Sequence, residues 1–213
     1  HGNKTLKIQN ENHVYTVSGR FEHGVPTGTM KVHLSIGNGA TIQYEGTLGI
    51  RHPKQIYLKK GTATWTKRGK NVSICAEWKD DLPVGEVTIV TTNANNGKVM
   101  EEYKGFILVK NIAILYSYGF KKHGKGLWKT FKDGRFMEIT GNFFNNVSHG
   151  KVTKTYFNGD TYQGIVVNGY PHGHGKATMS DGVYVGEWRC GLRHGKGRLY
   201  TLSGAVNEGT FRC

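Results

Sequence analysis

The feature that most constrains this chain is a pattern that occurs twice between Tyr162 and Gly197. Tyr162 and Tyr184 each begin a Tyr-x-Gly unit. Eight residues after the glycine of each unit comes a His-Gly pair, followed two residues later by another glycine. A recurrence every 22 to 23 residues is typical of repeat proteins, in which each unit buries its apolar face against its neighbours. We therefore interpret the chain as a repeat array.

Weaker copies of this pattern extend over most of the 213 residues. We count about eight units. They comprise a lead-in segment at 1–16, degenerate units with insertions over 17–118, and clear units over 119–213, the last of them truncated. The sequence thus predicts one continuous array. Its most apolar stretch, Phe106 to Tyr118, is interrupted by Lys110 and Asn111; we expect a hairpin there, since the stretch is too short for a membrane span.

Residue alternation within a unit predicts β-strands. Tyr184, Gly186 and Trp188 are two residues apart and therefore share one face of a strand. Glycine at the third position leaves room for a neighbouring aromatic ring, and glycine-rich interiors disfavour a helix by about 1 kcal/mol per site. Asn-Gly and Asp-Gly pairs favour two-residue hairpins, because both central residues of such turns need positive φ. These pairs occur at the unit joints Asn38-Gly39, Asn96-Gly97, Asp133-Gly134 and Asn158-Gly159. We predict an all-β, elongated ribbon of stacked two-stranded hairpins, with repeats of about 23 residues.

The charge of the chain is strongly basic. It has 29 Lys and Arg against 15 Asp and Glu, a net charge of +14. Such a field favours nucleic acid, acidic lipid or acidic protein segments as partners, or it serves only solubility. The three cysteines are widely spaced and odd in number, which fits a reducing, intracellular compartment better than a disulfide framework.

No residue pattern predicts a catalytic or metal site. Histidines of adjacent units would lie about 10 Å apart, two strand spacings. That is too far to share an ion whose nitrogen ligands lie about 2.1 Å away. Acids are sparse, and no serine or cysteine has a spacing-supported base. The Gly-x-Gly segments lie within β-repeats and not before a helix, as phosphate-binding loops require. We expect no enzyme activity, no metal and no cofactor. The histidines considered are His123, His149, His172 and His194.

These residues resemble the MORN (membrane occupation and recognition nexus) repeat, whose pattern is similar to Tyr-x-Gly-x-Trp-x-x-Gly-x-x-His-Gly-x-Gly. The unit from Tyr184 to Gly197 matches it at every position, and the unit from Tyr162 departs only where Val166 replaces the aromatic residue. The resemblance implies an elongated, twisted antiparallel sheet with an aromatic-lined concave face. It also implies a scaffold that binds helical or extended partner segments, dimerises, and sits at cytoskeletal or membrane-associated assemblies.

Two sets of residues are candidate functional sites. The aromatic residues form a partner groove, pack the repeats together, or do both: Tyr103, Phe143, Tyr162, Tyr184, Trp188 and Phe211. The basic residues around the clear repeats form an anion-binding face or a solvated surface: Lys121, Lys122, Lys125, Arg189, Arg193, Lys196 and Arg198.

From these sites we expect a non-enzymatic scaffold that binds acidic protein segments in the groove. Peripheral binding to anionic membrane lipids is the alternative, and nucleic-acid binding is less favoured. A homo-oligomer or membership of a larger assembly is also open. The expected location is cytoplasmic, cytoskeletal or membrane-peripheral.

Overall fold

The computed structural model describes residues 2–10, 13–36, 41–52, 55–79, 82–110 and 119–212. These residues form sixteen β-strands and no helix. They divide into two compact units, the first with residues 1–104 and 109–120 and the second with residues 105–108 and 121–213. The predicted boundaries at residues 16 and 118, and the continuity of the array, stay predictions.

In the first unit, the strands β1 to β7 form six consecutive antiparallel pairs, from β1–β2 to β6–β7. The strands are β1 (Gly2–Asn10), β2 (His13–Glu22), β3 (Val25–Ile36), β4 (Thr41–His52), β5 (Gln55–Lys67), β6 (Lys70–Lys79) and β7 (Leu82–Asn93); β8 (Val99–Leu108) follows. The predicted lead-in segment therefore contains a strand, β1, that is paired with β2. The expected turn at Asn38-Gly39, and residues 111–118 of the hairpin expected from Phe106 to Tyr118, lie outside the described residues.

In the second unit, the strands β9 to β16 likewise form seven consecutive antiparallel pairs, from β9–β10 to β15–β16. The strands are β9 (Lys121–Lys132), β10 (Arg135–Phe144), β11 (Val147–Thr155), β12 (Thr161–Val167), β13 (Tyr170–Met179), β14 (Gly182–Arg189), β15 (Leu192–Thr201) and β16 (Val206–Phe211). The prediction of an all-β antiparallel fold built from hairpin repeats is confirmed.

Two-residue turns join many of these strands. Asp133 and Gly134 have φ of 50° and 75°, and Asn168 and Gly169 have φ of 50° and 84°. Positive φ at both central residues is the mark of the tight turn that matches strand twist. Cys190 and Gly191 adopt the same conformation, with φ of 50° and 86°, although cysteine has no special preference for it. Of the predicted turns, Asp133-Gly134 has this form. Asn96-Gly97 and Asn158-Gly159 instead lie in five-residue loops, in which the asparagine does not have positive φ.

A row of residues on one face of the second unit explains the repeat glycines. Its members lie opposite one another in successive strands: Gly126, Gly141, Val152, Gly164, Gly175, Gly186, Gly197 and Gly209. We call this the glycine row. The Tyr184 side chain lies over it, because a Cβ added at Gly186 or Gly197 would come within 2.6 Å or 2.4 Å of Tyr184 Oη. Glycine thus makes room for the ring, as the sequence predicts.

The core of the second unit lies on this same face. Its buried cluster joins Tyr162, Val166, Tyr184 and Trp188 with Val152 and Ala177. The Trp188 ring packs edge-on against Tyr162 and Tyr184, at centroid distances of 5.3 Å and 5.2 Å. Its indole N–H donates to the Gly175 carbonyl at 3.1 Å. Edge-on contacts between aromatic rings therefore hold successive hairpins together.

The first unit repeats this local structure despite its weaker sequence signal. Trp78 donates its indole N–H to the Gly61 carbonyl at 3.1 Å, as Trp188 does to Gly175. The Tyr44 hydroxyl donates to the carbonyl three residues later, that of Thr47, at 3.0 Å. Tyr162 and Tyr184 make the equivalent bonds at 2.7 Å and 3.0 Å. The repeat design therefore extends beyond the clear units.

The strands of the second unit bend next to the glycine row. Between the pairs Gly164–Gly175 and Val166–Pro171, β13 has two more residues than β12, which is a bulge. Lys122 and Trp128 are six residues apart on β9, which would be about 20 Å in a straight strand. Yet Lys122 Nζ lies 4.4 Å from the centre of the Trp128 ring. The face bearing the glycine row is therefore concave, and we call it the trough.

Candidate partner-binding site

A groove of about 610 Å³ opens in the trough around β12 and β13. The buried side chains of Tyr162, Ala177 and Trp188 line its bottom. Its further lining includes the segment from Tyr156 to Phe157, the turn from Gly169 to Pro171, and Lys154, Asp160 and Met179. A volume of this size is within the range of sites that hold small ligands or a few side chains of a partner.

The loop between β11 and β12 forms one rim of the groove. It closes on itself, since Tyr156 N–H donates to the Asp160 carbonyl at 2.8 Å and Gly159 N–H to the Tyr156 carbonyl at 2.9 Å. The Asn158 side-chain amide also donates to the Asp160 carboxylate at 2.8 Å. Burial, with the negative charge of Asp160, raises the pKa of Tyr156. The Tyr156 hydroxyl therefore stays protonated and can donate a hydrogen bond.

The turn between β12 and β13 forms another part of the rim. Gly169 N–H donates to the Ser148 carbonyl of the preceding hairpin at 2.9 Å, and Gly191 N–H donates likewise to Pro171. These bonds dock each turn on its neighbour. Tyr170 follows the turn, and 63% of its surface is exposed. A large exposed aromatic residue beside an apolar groove is typical of binding surfaces.

Three cationic side chains extend into the trough, and each has a different kind of partner for its charge. Arg193 binds both Asp181 carboxylate oxygens, at 2.8 Å and 2.7 Å, and lies 5.4 Å from the centre of the Tyr184 ring. Lys122 lies over the Trp128 ring. Lys154 is only 6% exposed, and its ammonium donates to the Gly169 carbonyl. Burial lowers the pKa of Lys154.

The structure places most of the predicted aromatic residues inside the protein. Tyr103, Phe143, Tyr162, Tyr184 and Trp188 are buried, and Phe211 is half-buried against Tyr184 at a centroid distance of 4.9 Å. Tyr103 belongs to the first unit, and the other five to the second. All six therefore serve packing. Of the six, Tyr162 and Trp188 also line the groove.

The predicted basic residues do not share one surface. Lys122 and Arg193 reach into the trough. The side chains that neighbour the glycine row or Trp188 in sequence point to the opposite, convex face. These are Lys125, Arg189, Lys196 and Arg198, while Lys121 is exposed at the start of β9. Arg198 is paired with Glu208 at 2.8 Å, and this hydrogen bonding raises its pKa.

The repeat histidines show no metal-binding arrangement. His123 packs against the Phe144 ring at a centroid distance of 5.3 Å, and His149 and His172 are exposed. Among the described residues, no group of three His, Cys, Asp or Glu side chains could hold a metal ion. That part of the chain also contains no helix able to cross a membrane.

Sequence reasoning missed several residues of the groove: Lys154, Tyr156, Phe157, Tyr170 and Met179. One usable signal is the length of the loop between β11 and β12. It has five residues, from Tyr156 to Asp160, whereas the corresponding turn between β13 and β14 has two. The other is that Lys154 occupies the row position held by Ala177 and Leu199 in the following hairpins.

Stacked two-stranded hairpins with a concave, aromatic-lined face define a β-hairpin repeat protein. Residues 140–161, 162–183 and 184–205 match the MORN repeat, so this segment of the chain consists of three consecutive MORN repeats. Each match is 22 residues long, and the glycine row recurs after 23, 22 and 23 residues at Gly141, Gly164, Gly186 and Gly209. MORN repeats are non-catalytic modules of protein and membrane interaction, typical of intracellular, membrane-associated proteins.

The chain is also similar to Alsin from Homo sapiens and from Mus musculus. Both are 32% identical to it over 90 residues, which is 38% of this chain. The similarity covers 5% of the human protein and 6% of the mouse protein. The chain therefore matches only a small part of these relatives.

Proposed function

We propose that this chain is a non-enzymatic scaffold that binds a segment of a partner protein in the trough groove. The observation that carries this proposal is the groove itself. Buried rings form its bottom, and the side chains of Tyr170, Phe157 and Met179 remain at least partly accessible around it. Partly exposed aromatic and methionine side chains around a concavity are enriched at protein interfaces.

The packing explains why such a groove can bind without losing its shape. Tyr162 and Trp188 are fixed by edge-on ring contacts and by hydrogen bonds to backbone carbonyls. A site with preformed walls loses little conformational entropy on binding. The partner would therefore meet a rigid surface on which only the rim side chains adjust.

Substitution at the rim tests this proposal. Tyr170→Ala and Phe157→Ser should each abolish the capture of specific partners from a native extract, as measured by quantitative mass spectrometry. Tyr200→Ala is the matched control, since Tyr200 is an exposed aromatic residue on the convex face. Urea midpoints establish that all three variants fold. Capture that persists in both folded rim variants would contradict the proposal.

Peripheral binding to anionic membrane is a second candidate, favoured by the convex face. Lys125, Lys151, Lys176 and Lys196 are exposed on that face. Each lysine near an anionic lipid surface contributes about 1 kcal/mol of attraction. Lys151→Glu with Lys176→Glu should abolish flotation with phosphatidylserine vesicles. Flotation that does not depend on lipid charge would contradict this candidate, and with it a membrane-peripheral location.

Nucleic-acid binding is not favoured. Proteins that bind single-stranded nucleic acids need exposed aromatic rings on which the bases stack. Five of the six predicted rings are buried.

A further inference from the structure

We propose that Lys154 makes the groove selective for a partner segment that inserts a carboxylate next to an apolar or aromatic side chain. The inference rests on the proposed function and names the chemistry of the partner. The carboxylate of an Asp or Glu would bind the Lys154 ammonium, while the neighbouring side chain would pack on Met179, Tyr170 and Trp188.

The first observation is a buried cation without a counter-charge. The Lys154 ammonium has three N–H donors, and its hydrogen-bond partner is the Gly169 carbonyl. Among the described residues, no carboxylate oxygen lies within 4 Å of it. Removal of an ammonium from water is unfavourable unless an anion or several acceptors replace the lost hydration. Lys154 therefore retains the capacity to bind an anion.

The second observation comes from the other trough cations. Arg193 is neutralised by Asp181, and Lys122 is stabilised by the Trp128 ring. In the part of the chain that the structure describes, Lys154 has neither kind of partner. Its row position is occupied by Ala177 and Leu199 in the following hairpins, so the fold itself does not require a cation there.

The third observation is the setting of the ammonium. Tyr162, Ala177, Met179 and Trp188 line the same groove, and an ion pair is stronger beside such apolar groups than in water. Asp160 is the groove's other charged residue, and its carboxylate binds the Asn158 amide. An incoming carboxylate would avoid Asp160 and settle at Lys154. The net charge of +14 favours the approach of such an acidic segment.

A defined probe tests this inference. Random 12-residue peptides displayed on phage are selected on the whole chain, and the best binder is measured by titration calorimetry. We expect the selected peptides to share an acidic residue beside an aromatic or aliphatic one. Lys154→Met should weaken binding at least tenfold. Lys151→Met is the matched control, because Lys151 is a lysine of the same strand on the convex face. It should leave affinity unchanged.

A peptide whose acid is replaced by its amide completes the experiment. It should bind the wild-type chain as weakly as the Lys154→Met variant binds the original peptide, with no further loss when both changes are combined. Methionine replaces a buried cation with an apolar chain of similar length, so the variant should keep or raise its urea midpoint.

The outcomes separate the two proposals. Peptides that bind less tightly to Tyr170→Ala but equally to Lys154→Met, or that share no acid, overturn the role of Lys154 and leave the groove as a binding site. Failure to select any peptide, or binding that neither substitution affects, overturns both. Self-association that Tyr170→Ala abolishes identifies a second copy of the chain as the occupant and also overturns the inference.

Discussion

The repeat glycines illustrate how one residue controls the packing of another. A Cβ at Gly186 would lie 2.6 Å from Tyr184 Oη, 2.6 Å from Gly197 Cα and 2.7 Å from the Lys196 carbonyl oxygen. Two of these three atoms belong to the backbone of the next strand, so they cannot move aside without separating the strands. At Gly209, in the same row, a Cβ would meet no atom within 4 Å.

We predict that Gly186→Ala lowers the free energy of unfolding by about 2–4 kcal/mol, because it overpacks a tight contact. Gly209→Ala should change it by less than about 1 kcal/mol. Urea titration followed by tryptophan fluorescence measures both. Equal effects at the two positions would show that the close approach of Tyr184 and the neighbouring strand does not determine the need for glycine.

The buried tyrosines predict a loss of stability at high pH. Burial raises the pKa of Tyr162 to about 12, although its hydrogen bond with the His172 backbone acts in the opposite direction. In the unfolded chain a phenol titrates near 10. The folded state therefore holds its proton to higher pH. The stability due to Tyr162 is complete below pH about 10 and falls as the pH rises towards about 12.

Tyr162→Phe should therefore reduce the slope of unfolding free energy against pH between about 10 and 12. Urea midpoints at a series of pH values provide the measurement. A Tyr162→Phe slope equal to that of the wild type would argue against burial of a protonated hydroxyl.

At the scale of the hairpin, two sizes are matched: that of the residue at the tryptophan position of the repeat, and that of the glycine-row residue against which it packs. Trp188 packs over Gly175, which accepts its indole hydrogen bond. In the preceding repeat, the smaller Val166 replaces the tryptophan and Val152 replaces the glycine. The side chains of Trp188, Val166 and Val152 belong to one buried cluster. The departure of Val166 from the repeat pattern is thus compensated at Val152.

We predict that Val166→Trp alone lowers the free energy of unfolding by about 1–3 kcal/mol through overpacking. Combined with Val152→Gly, it should recover at least about 1 kcal/mol relative to the sum of the single changes. A double-mutant cycle by urea denaturation measures this coupling. Strict additivity would mean that the two positions do not share space.

Local features of the sequence predict the strands and turns, but not the bend. The turn at Asp133-Gly134 and the alternation from Tyr184 to Trp188 depend on neighbouring residues, so they can be predicted from one sequence. The bend depends on how many residues each strand places between the pairs Gly186–Gly197 and Trp188–Arg193. A register of this kind is a property of two strands.

The role of Lys154 could not be predicted from the residue alone. In the sequence it belongs to a Lys-Val-Thr-Lys-Thr segment, and four polar residues out of five are typical of a solvated strand. Val152 and Lys154 nevertheless lie on the trough face, and both are buried. The polarity of Lys154 would place its side chain in solvent, so it predicts the wrong face of the strand for this residue. Alignment of the hairpins by the glycine row would have shown a lysine in place of Ala177 and Leu199.

At the scale of the whole molecule, the excess positive charge should act on the rate of encounter with a partner. Exposed charges are screened over about 10 Å at 0.1 M salt. Complementary charge therefore accelerates association more than it slows dissociation. With an acidic peptide, raising NaCl from about 0.05 M to 0.5 M should lower the association rate about tenfold. Stopped-flow fluorescence separates the two rates. A change confined to dissociation would place the effect in the bound contacts.

The most direct test of trough binding is a methyl NMR titration of the chain with its partner segment. The chain has four methionines, and Met179 lines the groove, whereas Met30 is buried in the first unit. With ¹³C-labelled methionine methyl groups, saturating partner should shift the Met179 signal and leave that of Met30 unchanged. Saturation of binding with an unshifted Met179 signal would contradict the account.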